Sequence, residues 1–193
     1  MERYEELMWG ALTAHTTVSH EEWDFFRTLL QIKTIQKNNY FLKVGDNVPF
    51  IGFCVEGLFR LFYNTIEGNE YNKSFCSKGD FVTCYSAILQ KKTATFSIQA
   101  VMESTLIIIP YQAFTKLFER HICWVIIAKC IAEQLYLNKE MREQDLLLLS
   151  AEERYLKFSR DYQHLVDHIP QYQIASYIGI TPVALSRIRR KLT

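Results

Sequence analysis

Residues 173–192 read QIASYIGITPVALSRIRRKL, and the reading of this stretch decides how the rest of the chain is understood. It holds no acidic residue and sets four cationic side chains, Arg187, Arg189, Arg190 and Lys191, within five positions. Thr181 followed by Pro182 marks a helix start: the threonine hydroxyl can accept an orphan backbone N–H, and a proline at the first helical position gives up no hydrogen bond. Beyond it, Leu185, Ile188 and Leu192 recur at i, i+3 and i+7 as the stripe to be buried. Val183, Ser186, Arg187, Arg189, Arg190 and Lys191 are left on the other faces. Upstream, YQIASYI reads as a short helix turning Ile174 and Ile178 inward, with Ala175 small enough for a close helix crossing and Gly179 free to take a left-handed turn. Two short helices joined in this way make a helix-turn-helix, whose second helix enters a DNA major groove by its N-terminal part. The competing reading is an amphipathic surface helix whose late cations merely complement its macrodipole. The small residue, the turn glycine, the Thr-Pro start and the missing acids weigh together against it.

The whole chain does not share that bias. Its 193 residues carry 22 basic and 21 acidic side chains, a net charge of +1, so the positive field is local to the C-terminal tip. Met1 is followed by Glu2, Arg3, Glu5 and Glu6, the wrong charge for a secretory signal. The longest apolar run, Ile122 to Ala128, is too short to span a bilayer. The expectation is a cytoplasmic protein with no membrane partner. Five cysteines, Cys54, Cys76, Cys84, Cys123 and Cys130, include no CxxC pair and suit reduced core thiols.

Three segments are expected. The first 30 residues read as helix, with Ser19 and Glu22 as a capping box ahead of EWDFFRTLL, whose Trp23, Phe26, Leu29 and Leu30 share a face. From Lys33 to Pro110, short β-branched and aromatic runs (YFLKV, FIGFCV, LFRLFYN, EYNKSFC, TFSIQAV, STLIII) alternate with turn signals at Gly45-Asp46, Glu56-Gly57, Glu67-Gly68-Asn69 and Gly79-Asp80. Such spacing predicts an antiparallel barrel or jelly roll. YQAFTKLFER is a short helix, and His121 to Leu149, free of Gly and Pro, is a helix of about 40 Å. Its second half keeps a partial 3-4 spacing through Leu135, Asn138, Met141 and Leu148, which fits a parallel dimer seam with Asn138 fixing register, or a core helix with a polar stretch. Ser150 and Glu153 form a second capping box before AEERYLKFSRDY. The predicted fold is thus α+β: an antiparallel β-roll domain over 1–113, a dimerisation helix over 114–149 and a helix-turn-helix domain over 150–193.

A β-roll with Gly-Asp and Glu-Gly turns, a long helix and then IASYIGITPVALSRIRRKL resembles the Crp/Fnr family of bacterial transcription regulators over nearly the whole chain. The resemblance implies a homodimeric regulator with double-stranded DNA, a small-molecule effector and RNA polymerase as partners. It implies that Pro182, Val183, Ser186 and Arg187 face bases, Arg187 toward guanine O6 and N7 and Val183 toward a thymine methyl. Thr181, Arg189, Arg190 and Lys191 are the phosphate-contact candidates. Family members often carry an acid where Val183 stands, so carboxylate readout of cytosine is not expected. Members that bind cyclic AMP present a Gly-Glu pair after the Gly-Asp turn and later an Arg with a small hydroxyl residue. Here those positions read Thr83-Cys84 and Ala94-Thr95, so a cyclic phosphate would be desolvated without a guanidinium partner, and cyclic AMP is not the expected ligand. Lys91 and Lys92 lie close by, as substitutes or as a solvated turn. Tyr71, Phe81, Cys84, Thr95 and Phe96 are the candidate lining of an effector pocket, or plain core.

Other classes are disfavoured. A β-roll also resembles the cupin barrel, but cupin metal centres need several His and carboxylate ligands from strands, and all five histidines lie outside 33–110. No Ser/His/Asp or Cys/His pattern, P-loop or Rossmann glycine signature is present; His164 and His168 fit a helix end near Pro170. No enzyme, metal or cofactor is expected, and Cys76 or Cys84 as a redox thiol or haem ligand competes with their being buried and inert. The alternative function is a cytoplasmic ligand-binding β-roll whose basic C-terminal helix docks an acidic protein partner.

Overall fold

The computed structural model describes residues 2–192. Helices α1 (Glu2–Thr13) and α2 (His20–Arg27) precede the strands β1 (Gln31–Ile35), β2 (Tyr40–Leu42), β3 (Phe50–Glu56), β4 (Leu58–Asn64), β5 (Glu70–Ser77) and β6 (Phe81–Val82). A short helix α3 (Tyr85–Gln90) comes before β7 (Ser97–Ala100) and β8 (Ser104–Pro110). Then follow α4 (Tyr111–Lys116), the long α5 (Ile122–Leu148), α6 (Ala151–Asp161), α7 (Gln171–Ile178) and α8 (Pro182–Leu192). The strands form two four-stranded antiparallel sheets, β1-β8-β3-β6 and β2-β7-β4-β5, wrapped face to face as a β-roll.

Alternation along the strands gives each sheet two apolar faces, and each face finds a different cover. Between the sheets lie Phe41, Cys54, Phe59, Phe96, Ile98 and Leu106. Outside the first sheet, Phe53, Ile107 and Ile109 pack under α1, α2, α4 and the start of α5, around Met8, Phe26 and Trp124. Outside the second sheet, Leu58, Phe75 and Val101 pack under α6, α7 and α8. The C-terminal helices are therefore continuous with the roll through a third apolar layer. Each large side chain buried here is worth about 1.5–3 kcal/mol over exposure.

Two turns repeat one device. In each Gly-Asp pair the aspartate accepts the backbone N–H three residues back, Asp46 from Lys43 at 2.8 Å and Asp80 from Ser77 at 2.7 Å. The Ser150 capping box forms in both directions. The Ser19 box forms only by half: Ser19 Oγ accepts from Glu22 N, but the Glu22 carboxylate turns away to Trp124 Nε1 at 2.7 Å and to Arg120 at 3.1 Å. Leu29 and Leu30, expected on the α2 stripe, lie past the end of that helix and are half-buried. The strands begin at Gln31 rather than Lys33, and α3, with a left-handed Lys91 at its end, occupies a stretch that carries no clear helix signal.

On α5, Cys123, Trp124 and Ile127 are buried, while Leu137, Met141 and Leu148 are exposed. At about 100° per residue these three share one flank, whereas Leu135 falls about 120° from Met141 and is half-buried. The expected Leu135-Asn138-Met141-Leu148 stripe is thus not one face. Asn138 accepts from Gln134 Nε2 within its own helix at 2.8 Å.

Candidate nucleic-acid interface and roll interior

The C-terminal site is assembled from local signals. Gly179 ends α7 at φ 74°, and Ile180 N closes back on Ala175 O at 3.0 Å, the left-handed cap that reverses the chain. Thr181 Oγ1 accepts from Ala184 N at 3.2 Å, and Pro182 opens α8. Ile174, Ala175, Ile178 and Leu185 are buried together, as the sequence reading has it. Ile188 is half-buried; Leu192, expected in the same stripe, is 43% exposed at the end of α8.

At about 100° per residue, Pro182, Val183, Ser186, Arg187 and Arg190 fall within an outer sector of about 140°, opposite Leu185. All five are exposed, Val183 by 63%. The four base-reading candidates therefore lie on one outward face, with Arg190 on the same face two turns from the helix start. Arg189 and Lys191 flank that sector and are exposed. Lys191, also a phosphate-contact candidate, pairs its Nζ with Glu152 of α6 at 2.7 Å.

Three polar residues that motif reading passed over hold this unit in place. Arg154 of α6 donates to Ile178 O at 2.8 Å and to Leu149 O at 2.5 Å, satisfying carbonyls at the ends of α7 and α5. Asn72 of β5 donates through its N to Ser176 Oγ at 2.9 Å and through its Nδ2 to Gln173 O at 2.9 Å. Arg142 of α5 donates to Asn72 O at 3.1 Å and lies 4.1 Å from the centre of the Tyr177 ring. Phe75, Phe158, Tyr162 and Tyr177 interlock between strand and helices at ring separations of 4.8–6.2 Å. Burial pushes the Tyr162 phenol above its ordinary range. None of these has a sequence motif; the aromatic spacing of Tyr155, Phe158 and Tyr162 is the one signal that points to a buried face.

The effector-pocket candidates separate into two groups. Cys84, at the start of α3, is buried, its Sγ 3.7 Å from Thr95 Oγ1, and Phe96 next to Thr95 is buried against Tyr63. Tyr71 is 56% exposed near the β5 start. Phe81 packs on Phe53 outside the roll, at 5.1 Å, because both side chains point to the outer face of the first sheet. These two do not line a common site with Cys84, Thr95 and Phe96. Ala94 is buried, and Lys91, Lys92 and Thr95 rim an open depression of about 550 Å³ with Asn47, Val48 and Pro49. Burial raises the Cys54 thiol to about 12 and the Cys76 thiol well above its ordinary range, which disfavours the reactive thiolate at both. Among the described residues no group of three or more His, Cys, Asp and Glu side chains converges, and no helix is long and apolar enough to cross a membrane.

Comparison with known proteins bears on both halves. The family model of the cyclic nucleotide-binding domain matches residues 32–121. Comparison with the curated proteins by sequence finds no match. The fold is similar to that of FixK2 from Bradyrhizobium japonicum, with a TM-score of 0.73 at 13% identity over 84% of each chain. It is similar to the Thermus thermophilus catabolite activator protein, with a TM-score of 0.58 at 20% identity over 94% of this chain and 86% of that one. A protein of Eubacterium rectale assigned to the Crp/Fnr regulators gives 0.72 at 14% identity, covering 91% and 83%. Residues 32–121 therefore match the cyclic nucleotide-binding domain, and the fold of the chain is similar to that of Crp/Fnr regulators.

Proposed function

We propose that the protein is a homodimeric, sequence-specific DNA-binding transcription regulator that works in the cytoplasm. The observation that carries this reading is the outward sector of α8: exposed, cationic, without an acid, and presented by a helix-turn-helix anchored to the roll. Pro182, Val183, Ser186 and Arg187 read bases, with Arg187 bidentate on guanine. Thr181, Arg189 and Arg190 meet phosphates that set the register. Lys191 contributes less, because it must first leave Glu152. The fold relatives named above support the reading, and the exposed flank of α5 at Leu137, Met141 and Leu148 offers the dimer seam. Cyclic AMP is not the effector on this reading, since Cys84 and Ala94 stand where the ribose carboxylate and the phosphate guanidinium would be needed. On this reading the protein acts by binding DNA rather than by catalysis.

Titration with DNA at several salt concentrations tests the proposal. Affinity should fall with a log-log slope of about −0.9 per neutralised phosphate. Arg187→Ala should cost about 1–3 kcal/mol at one base position and relax specificity there. Arg190→Ala should weaken all sequences alike and reduce the slope by about 1. Equal loss of specificity from both variants contradicts the assignment of roles, and absence of salt-linked binding returns the chain to a roll whose basic helix docks a protein.

A further inference from the structure

Strand β5 separates the roll interior from the helix-turn-helix, and one residue in it breaks the alternation. Asn72 and Phe75 both face the helices, three positions apart, which a regular strand does not allow. The register explains it: Leu61 pairs with Ser74 and Phe62 with Asn72, so Lys73 is a bulge residue without a partner on β4. Bulges re-aim side chains, and here the ammonium is turned inward, its Nζ 4.9 Å from the centre of the Phe96 ring. Phe96 is 3% exposed and meets Tyr63 edge-on at 5.7 Å.

This inward cation has no counter-ion. None of the ion pairs among the described residues includes Lys73. Burial lowers its proton affinity, as do Arg142 and Lys139 of α5; the nearby Cys76 thiol, itself raised by burial, stays neutral. Lys73 is half-buried with its ammonium against an aromatic ring, where an acid beside it would be favourable, and among the described residues no ion pair supplies one. Arg142 is committed to Asn72 O and Tyr177 and Lys139 is exposed on α5, which leaves Lys73 as the cation turned toward Phe96. One ammonium beside two aromatic rings, Phe96 buried and Tyr63 exposed at the edge of the roll, suits a single negative charge on an apolar body; a doubly charged phosphoryl group would lack partners.

Resting on the reading of the chain as a regulator with a sensor roll, we infer that the Lys73 bulge, with Phe96 and Tyr63, is the binding site for a small organic monocarboxylate. Its occupancy offsets the repulsion between Lys73 and Arg142 and so firms the Arg142 clasp on Asn72 and Tyr177, one residue from the docked α7.

Thermal denaturation of the full chain tests the site with benzoate, phenylacetate and hexanoate, their neutral amides and inorganic phosphate as probes. At least one carboxylate should raise Tm by about 3–6 °C at ten times its Kd, with no shift from amides or phosphate. Lys73→Met and Lys73→Gln should both raise the unliganded Tm and abolish the carboxylate shift, while Lys73→Arg keeps it. No shift from any carboxylate, an equal shift from phosphate or amide, or a shift that survives in both neutral variants overturns the inference. DNA binding is read in parallel. Carboxylate should change wild-type affinity severalfold and leave the neutral variants unchanged. Intact DNA binding with no carboxylate effect sinks this inference alone, whereas a carboxylate shift in a chain that binds no DNA sinks the regulator reading instead.

Discussion

Glu22 illustrates what a single residue can and cannot disclose. Ser19 and Glu22 have the spacing of a capping box, and the serine behaves accordingly. The carboxylate instead joins Trp124 and Arg120, about a hundred positions away, where it ties α2 to the start of α5. The hydrogen bond from Trp124, and then the Arg120 guanidinium, hold its pKa below the ordinary range against the opposing effect of burial. A carboxylate depressed in the folded state stabilises at pH values above its unfolded pKa of about 4.3, and that stability is lost as pH falls through the folded value. Glu22→Gln should therefore destabilise by about 1–3 kcal/mol at pH 7 and show a weaker loss of stability on acidification, measured by urea denaturation from pH 7 to pH 3. Local signals of a few residues, such as Thr181-Pro182, Gly179 and Ser150 with Glu153, were legible because donor and acceptor lie within one turn. Partners such as Trp124, Asn72 or Glu152 come from tertiary packing and leave no spacing to read.

At the scale of elements, the strands of the roll could be read from β-branched runs between turns. The short α3 and the two-residue β6 could not, because neither is long enough to show a period. The bulge at Lys73 is likewise silent in sequence, since it exists only as a mismatch between two strands. For α5 the length was legible and the face was not: the residues exposed on one flank are Leu137, Met141 and Leu148, set by which side of the helix the roll already covers. If that flank is the dimer seam, replacing Leu137 and Met141 together by glutamate should give a folded monomer in sedimentation. Its DNA affinity should fall by about 10²–10⁴, the avidity lost when two linked heads become one.

In the whole molecule, the helix-turn-helix is not tethered but seated, through Phe75, Phe158, Tyr162 and Tyr177 and the Asn72 bonds, on the outer face of the second sheet. Within that seat Asn72 Oδ1 and Gln173 Oε1 are buried with no protein partner among the described residues. A change inside the roll at β5 is therefore one side chain away from the seam. The central claim is that a pair of α8 helices reads a two-fold symmetric duplex. Selection of bound sequences from a random DNA pool by the wild-type protein tests it most directly. The account predicts an enriched inverted repeat whose half-sites are centred about 10–10.5 base pairs apart, bound by two chains. An unenriched pool, or a single asymmetric site bound by one chain, would contradict it.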